Sequence, residues 1–128
     1  MKKQITHVHA FHEAFGINNE YTPKGEIDDK TYVLRHNLMQ EENEEYLEAA
    51  RRGDLVEVAD ALGDMLYILC GTILSHGLQD VIEDVFDEIQ RSNMSKLGED
   101  GKPIYREDGK VLKGPNYFKP DIKGVLER

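Results

Sequence analysis

Six carboxylates between residues 41 and 64 are spaced as helical neighbours. They are Glu41, Glu42 and Glu45 in "EENEE", then Glu57, Asp60 and Asp64 in "EVADALGD". On a helix advancing 100° per residue, Glu57, Asp60 and Asp64 fall within about 60° of one another. The rest of that segment, from Leu55 and Val56 to Ile68 and Leu69, is apolar nearly all round. Such a helix is expected to be buried, with its acidic stripe enclosed or lining a cleft. Carboxylates taken from water without a partner protonate or cost several kcal/mol each, so something cationic is expected to meet them. Mg²⁺ prefers oxygen ligands and keeps waters that substrate phosphates can replace. The chemistry this spacing suggests is therefore a metal ion held among carboxylates.

Helices must position these groups, and four are expected. The first, "ITHVHAFHEAFG", puts Ile5, Val8, Phe11 (or His12) and Phe15 on one face and stops at Gly16. After a loop with Pro23 and Gly25, the second starts from a cap at Asp28 or Asp29. It ends at Gly53 with Arg51 and Arg52 complementing the helix dipole. The third runs from Asp54 to near Gly77, and Asp54 with Glu57 has the spacing of a capping box. The fourth spans about Gln79 to Lys96, with Val81, Ile82, Val85, Phe86 and Ile89 as its apolar stripe. On the second helix Leu34, Leu38, Met39, Tyr46 and Ala49 share a side. Glu42 and Glu45 lie inside that sector, Glu41 lies at its edge, and Glu44 and Glu48 turn toward solvent. Antiparallel helices joined at Gly53 are neighbours, which places Glu45 near Asp60 and Ala61, and Glu42 near Gly63 and Asp64. Beyond Gly98, Asp-Gly recurs at 100–101 and 108–109. The second pair, between "PIYR" and "KVLK", signals a hairpin. The organisation expected is one domain over 1–128, a helical core at about 5–97 and a basic tail at about 98–128.

The formal charge of −9 is unevenly spread. Residues 1–90 carry 7 basic against 19 acidic side chains, and residues 91–128 carry 9 against 6. An acidic body argues against a duplex nucleic-acid binder, whose affinity rests on phosphate neutralisation. An acidic body with a basic tail suits a metal ion plus a small polyanion. No run approaches the length of a membrane span, and "MKKQITHVHAFHEAF" does not have the form of a signal peptide, so no membrane role is expected. Cys70 is the one cysteine; it cannot form an internal disulfide, and the cytoplasm is the expected compartment. Its neighbours Ile68, Leu69 and Ile73 make it a core residue, not a nucleophile. The five histidines lack zinc-site spacing.

The ordered set "EENEE" followed by "EVAD" resembles the E-E-x-x-E … E-x-x-D signature of the all-α nucleoside triphosphate pyrophosphohydrolases. That superfamily includes MazG-like proteins, dimeric dUTPases and phosphoribosyl-ATP pyrophosphohydrolase. "FHEAFG", "ADALGDMLYIL" and "RSNMSKLGEDGK … DGKVLKGPNYFKPD" are similar to its MazG-like, phosphoribosyl-ATP-pyrophosphohydrolase-like branch, so the likeness covers most of the chain. It implies an all-α fold: a four-helix MazG-like bundle with a short C-terminal hairpin or irregular tail, assembling as a homodimer or as a dimer of dimers, that is, a homotetramer. It also implies hydrolysis between the α- and β-phosphates of a nucleotide, dependent on Mg²⁺ with Mn²⁺ as the alternative ion, giving a monophosphate and pyrophosphate. Glu42, Glu45, Glu57 and Asp60 would be metal ligands, and Glu41 would orient or deprotonate the attacking water. The connection here is short, with eleven residues between Glu45 and Glu57, which brings Asp64 toward the metal shell.

With that reading, Lys96 and Asn93 are candidates for holding phosphates. Lys110, Lys113, Asn116 and Tyr117 are candidates for closing over the nucleotide, with Gly114 allowing close backbone approach. His12 and Phe15 either stack on a base or are core, and core is favoured for Phe15. The expected substrate is a deoxynucleoside triphosphate such as dUTP or dCTP, in nucleotide-pool sanitation. Phosphoribosyl-ATP of histidine biosynthesis is the alternative, although "KGPNYFKPD" is closer to the MazG-like branch. A non-catalytic nucleotide- or metal-binding dimeric regulator is the rival from another class. Its mark would be a broken acidic set, and this set is intact.

Overall fold

Apolar periodicity in the N-terminal part of the chain produces α1 (Lys2–Phe15), α2 (Asp29–Arg52) and α3 (Leu55–Ser75). The computed structural model describes residues 1–128 and adds α4 (Ile82–Met94) and α5 (Ile122–Leu126); the fold is all-α, with no strand. The chain divides into two compact units, Met1–Asp80 and Val81–Arg128.

In the first unit α3 packs against both α2 and α1. The α2–α3 reversal is made by Gly53, whose left-handed φ of 65° carries no Cβ penalty and sends its N–H back to the Ala49 and Ala50 carbonyls. Asp54 caps α3 by accepting from the Glu57 N–H at 3.2 Å. Its own N–H donates to Ala49 instead of to Glu57, so only half of the expected capping box forms and the Glu57 carboxylate stays outside the cap.

Three expectations are corrected. On α1 the inward stripe is Ile5, Val8 and His12, whereas Phe15 is 70% exposed and not core. Phe11 and Phe15 occupy the adjacent stripe one turn apart, ring on ring at 4.4 Å; Phe11 meets Tyr67 of α3 edge to face at 5.6 Å, and Phe15 projects beyond it. The second correction concerns α3, which is not enclosed all round: Leu55 is 78% exposed, and Leu62, Leu66 and Leu69 are exposed too. At 100° per residue these four leucines share a stripe about 60° wide on the side away from Glu57, Asp60 and Asp64, so α1 and α2 cover the helix only in part. Third, α3 has the length and composition of a membrane span, contrary to the expectation that no run approaches one. Asp60 and Asp64 sit inside it, however, and each mid-helix charge costs about 2.5–3.5 kcal/mol on insertion scales.

The loop after α1 is latched onto the end of α3. The Glu20 N–H donates to the Leu74 carbonyl and the Lys24 N–H to the His76 carbonyl, while the His76 ring donates back to the Lys24 carbonyl at 2.8 Å. Gln79 Nε2 donates to the Glu20 carbonyl. Gly77 has a φ of 67°, and a Cβ there would lie 2.2 Å from the Thr22 carbonyl oxygen, so the latch requires glycine.

In the second unit α4 is shorter than expected, because residues 79–81 form a turn. Its buried side chains are Glu88 and Ser92, not the apolar stripe, in which Phe86 and Ile89 are exposed. Hydrogen bonding to the returning tail explains this. Ser92 Oγ donates to the Phe118 carbonyl at 2.8 Å, and the Asp121 N–H donates to Glu88 Oε2 at 2.8 Å. Arg91 pairs with Glu88 and lies over the Phe118 ring, and together with the Asp121 N–H it holds the Glu88 carboxyl below its usual value. The second Asp-Gly makes a minimal hairpin with one antiparallel bridge, Tyr105 to Val111, around Gly109. α5, capped by Asp121, is too short for periodicity to signal.

Candidate active site

The α2–α3 pair brings carboxylates from both helices together in the register its short turn dictates. Glu45, Glu57 and Asp60 line an open groove of about 460 Å³ near the turn, together with Glu44, Glu48 and Arg52. Glu48 is paired with Arg51 at 3.6 Å and Arg52 with Asp54 at 3.8 Å, so the remaining carboxylates lack basic partners. Glu44 and Glu48 were expected to face solvent away from the patch. Both are exposed, as expected, and they also line the rim of the open groove.

Glu42 lies one turn further from the reversal and is half-buried, with Oε2 buried and without a hydrogen-bond partner. Desolvation, the adjoining Glu45 carboxyl, and the charges of Asp64 and Asp60 push its pKa up to about 7. Four carboxylates thus act on one another across α2 and α3: Glu42, Glu45, Asp60 and Asp64. Glu41 is exposed beside Glu42 and outside the groove. No three acidic, histidine or cysteine side chains close into a ready cation cage. The donor chemistry still fits a hard divalent ion, because it is all oxygen and includes a buried carboxylate oxygen that nothing satisfies.

One helical turn along the same pair, the surface changes character. Leu38 precedes Glu42 by four residues and Ile68 follows Asp64 by four, and both line a cavity of about 630 Å³ with Phe11, Leu34 and Tyr67. His12, 2% exposed, and Arg35 supply polar groups to it. Sequence reasoning overlooked Arg35, although its spacing of three and four residues from Leu38 and Met39 puts it on the apolar side of α2. Burial lowers its pKa, and it caps α3 from the side, with Nε donating to Thr72 Oγ1 at 3.1 Å and Nη2 to the Ile68 carbonyl at 2.9 Å.

The tail candidates belong to the second unit. Asn93, Lys110, Lys113 and Asn116 are exposed, and Lys96 is half-buried at the end of α4. The Lys113 ammonium lies 4.8 Å from the centre of the Tyr117 ring. Gly114 donates to the Lys96 carbonyl, and a Cβ there would meet the Leu97 carbonyl oxygen at 2.2 Å, so its role in this structure is close packing against the end of α4.

The phosphoribosyl-ATP pyrophosphohydrolase family model matches residues 8–93, a span that holds the second half of α1, both acidic helices and nearly all of α4. The chain belongs to that family. A solved structure from Exiguobacterium sp. 255-15, provisionally described as an NTP pyrophosphohydrolase, is similar at 25% identity. It covers 97% of this chain and 91% of its own, with a TM-score of 0.51. No curated protein matches. As a member of the family the protein is a pyrophosphohydrolase.

Proposed function

We propose that the protein hydrolyses a (deoxy)nucleoside triphosphate, dUTP or dCTP foremost, to the monophosphate and pyrophosphate. The observation that carries this reading is the adjacency just described: an apolar, base-sized cavity one helical turn from Glu42, a carboxyl with one buried, unsatisfied oxygen on which the charges of Glu45, Asp64 and Asp60 act. A nucleotide with its base in the cavity would direct its phosphates along α2 and α3 toward the carboxylates. Glu42, Glu45, Glu57 and Asp60, with Asp64, would hold Mg²⁺ or Mn²⁺. The ion would supply neutralisation of phosphate charge and acidification of bound water. Glu41, exposed next to Glu42, would orient or deprotonate that water. One P–O bond of the α,β-anhydride is exchanged for a bond to the water oxygen, which requires positioning and charge neutralisation but no covalent nucleophile. In the cation-free protein the proton that Glu42 retains near neutral pH relieves part of the carboxylate repulsion.

The assembly proposed is a homodimer or homotetramer paired through the uncovered leucine stripe of α3. One observation favours a second reading: the matching family model is that of phosphoribosyl-ATP pyrophosphohydrolase, which makes phosphoribosyl-ATP the rival substrate. A screen of pyrophosphate release from dNTPs, NTPs and phosphoribosyl-ATP, with Mg²⁺ and with EDTA, separates these readings. Metal-dependent release from one or a few dNTPs is expected. Release from phosphoribosyl-ATP alone would move the assignment to the rival, and tight nucleotide binding without release would indicate a regulator.

A further inference from the structure

The polar atoms inside the 630 Å³ cavity have their donor and acceptor character set by the residues behind them. The Glu13 carboxylate accepts from Asn19 Nδ2 at 3.5 Å and from the Tyr21 hydroxyl at 3.3 Å. A carboxylate accepts only, so the Asn19 amide nitrogen must face it and Oδ1 must face the other way, toward His12 Nδ1 at 2.7 Å. Nδ1 then carries the ring proton. Burial, together with the nearby Arg35 charge, lowers the His12 pKa, so the ring is neutral and Nε2 presents a lone pair.

Arg35 complements it. Its Nε and one Nη2 hydrogen are spent on Thr72 and Ile68, leaving the end of the guanidinium, Nη1 and the second Nη2 hydrogen, without a protein acceptor. Gly71 is what allows the two groups to meet. A Cβ there would lie 2.5 Å from Arg35 Nη2 and 3.0 Å from His12 Nε2, so both atoms converge over bare α3 backbone.

We propose that this cavity reads the base of the nucleotide and selects cytosine, with His12 Nε2 accepting from the 4-amino group and the Arg35 guanidinium donating to N3 and O2. The proposal rests on the nucleotide reading above and narrows it. One acceptor beside two donors complements the cytosine edge, which runs donor, acceptor, acceptor. Uracil and thymine run acceptor, donor, acceptor and would set O4 against the Nε2 lone pair. Adenine offers no third group, and guanine inverts every position, running acceptor, donor, donor. Phe11 and Tyr67 supply apolar walls for a planar ring, the usual companions of edge recognition.

The test is calorimetric binding of dCMP, dUMP, dAMP and dGMP to the full chain, with pyrophosphate release from the four triphosphates measured in parallel. The wild type is expected to bind dCMP at least about tenfold more tightly than dUMP. His12→Gln, whose amide can either donate or accept, is expected to keep nucleotide binding while the dCMP-to-dUMP ratio falls toward one. Arg35→Met is expected to abolish the ratio, with circular dichroism confirming its helices. Base-indifferent binding, preference for another base, or a cytosine preference untouched by both variants overturns the pocket assignment. Metal-dependent release with base-indifferent binding would sink the pocket and leave the hydrolase reading standing. A dCMP preference without release from any triphosphate would do the reverse.

Discussion

Ionising Glu42 sets its charge against those of Glu45, Asp64 and Asp60. Its carboxyl titrates at about 7 in the fold and near 4.5 when unfolded. Between those values the folded chain keeps a proton that the unfolded chain has released, so this group makes stability fall as pH rises through the window. His12 acts oppositely: its folded pKa lies below 6.5, so its contribution rises with pH there. The informative quantity is therefore the difference between variants. In thermal melts from pH 5 to 8 in EDTA, Glu42→Gln is expected to gain stability over wild type as pH rises; parallel curves would show that the cluster does not couple as described. Asp60→Asn is expected to lower turnover by about 10²–10³-fold. It removes one of the mutually repelling charges, so its melting temperature should equal or exceed that of wild type. Loss of the helical signal by circular dichroism would instead make Asp60 structural.

At the scale of elements, two glycines with nearly the same φ should differ in how far they resist substitution. At Gly53 a Cβ meets nothing, so Gly53→Ala should cost about 1–2 kcal/mol for the left-handed conformation alone. At Gly77 the same conformation carries a Cβ into the Thr22 carbonyl, which the latch between the loop and α3 holds in place, so Gly77→Ala should cost clearly more. Urea denaturation of the two variants measures the difference, and equal losses would mean that the latch gives way easily. The Gly53 reversal was also the most legible feature of the chain. Terminal arginines, a glycine and an aspartate cap all mark it, and a turn that short leaves the α2–α3 register no freedom. The inward face of α1 was harder to read, because stripes through His12 and through Phe11 are equally helical. Only Asn19, which satisfies the imidazole from a loop, decides between them. Glu88 and Ser92 were illegible for a related reason: their partners at 118 and 121 are distant in sequence and engage backbone atoms, which leave no trace in residue type. At the site, charges on an apolar helix announced themselves, whereas Arg35 read as an ordinary surface cation until its acceptors on α3 were seen.

For the whole molecule, the uncovered stripe of Leu55, Leu62, Leu66 and Leu69 sets an expectation about mass. Sedimentation at micromolar concentration should give twice 14.7 kDa or a larger even multiple. Leu62→Glu with Leu66→Glu should shift the species to the monomer, and a wild type that already sediments as a monomer would remove the proposed interface. The opposition of the two stripes on α3 carries a further consequence, for how this gene can drift. Most helices in a small protein have a tolerant side where neutral changes accumulate. α3 has acids committed on one side, leucines on the other, the buried Ala61 between them, and Gly71 in close contact with Arg35 and His12 further along the acidic side. In a saturation mutagenesis library selected for activity, intolerance should run around its whole circumference. On α4 it should concentrate at Glu88 and Ser92, leaving exposed positions such as Asp87 and Gln90 free to vary.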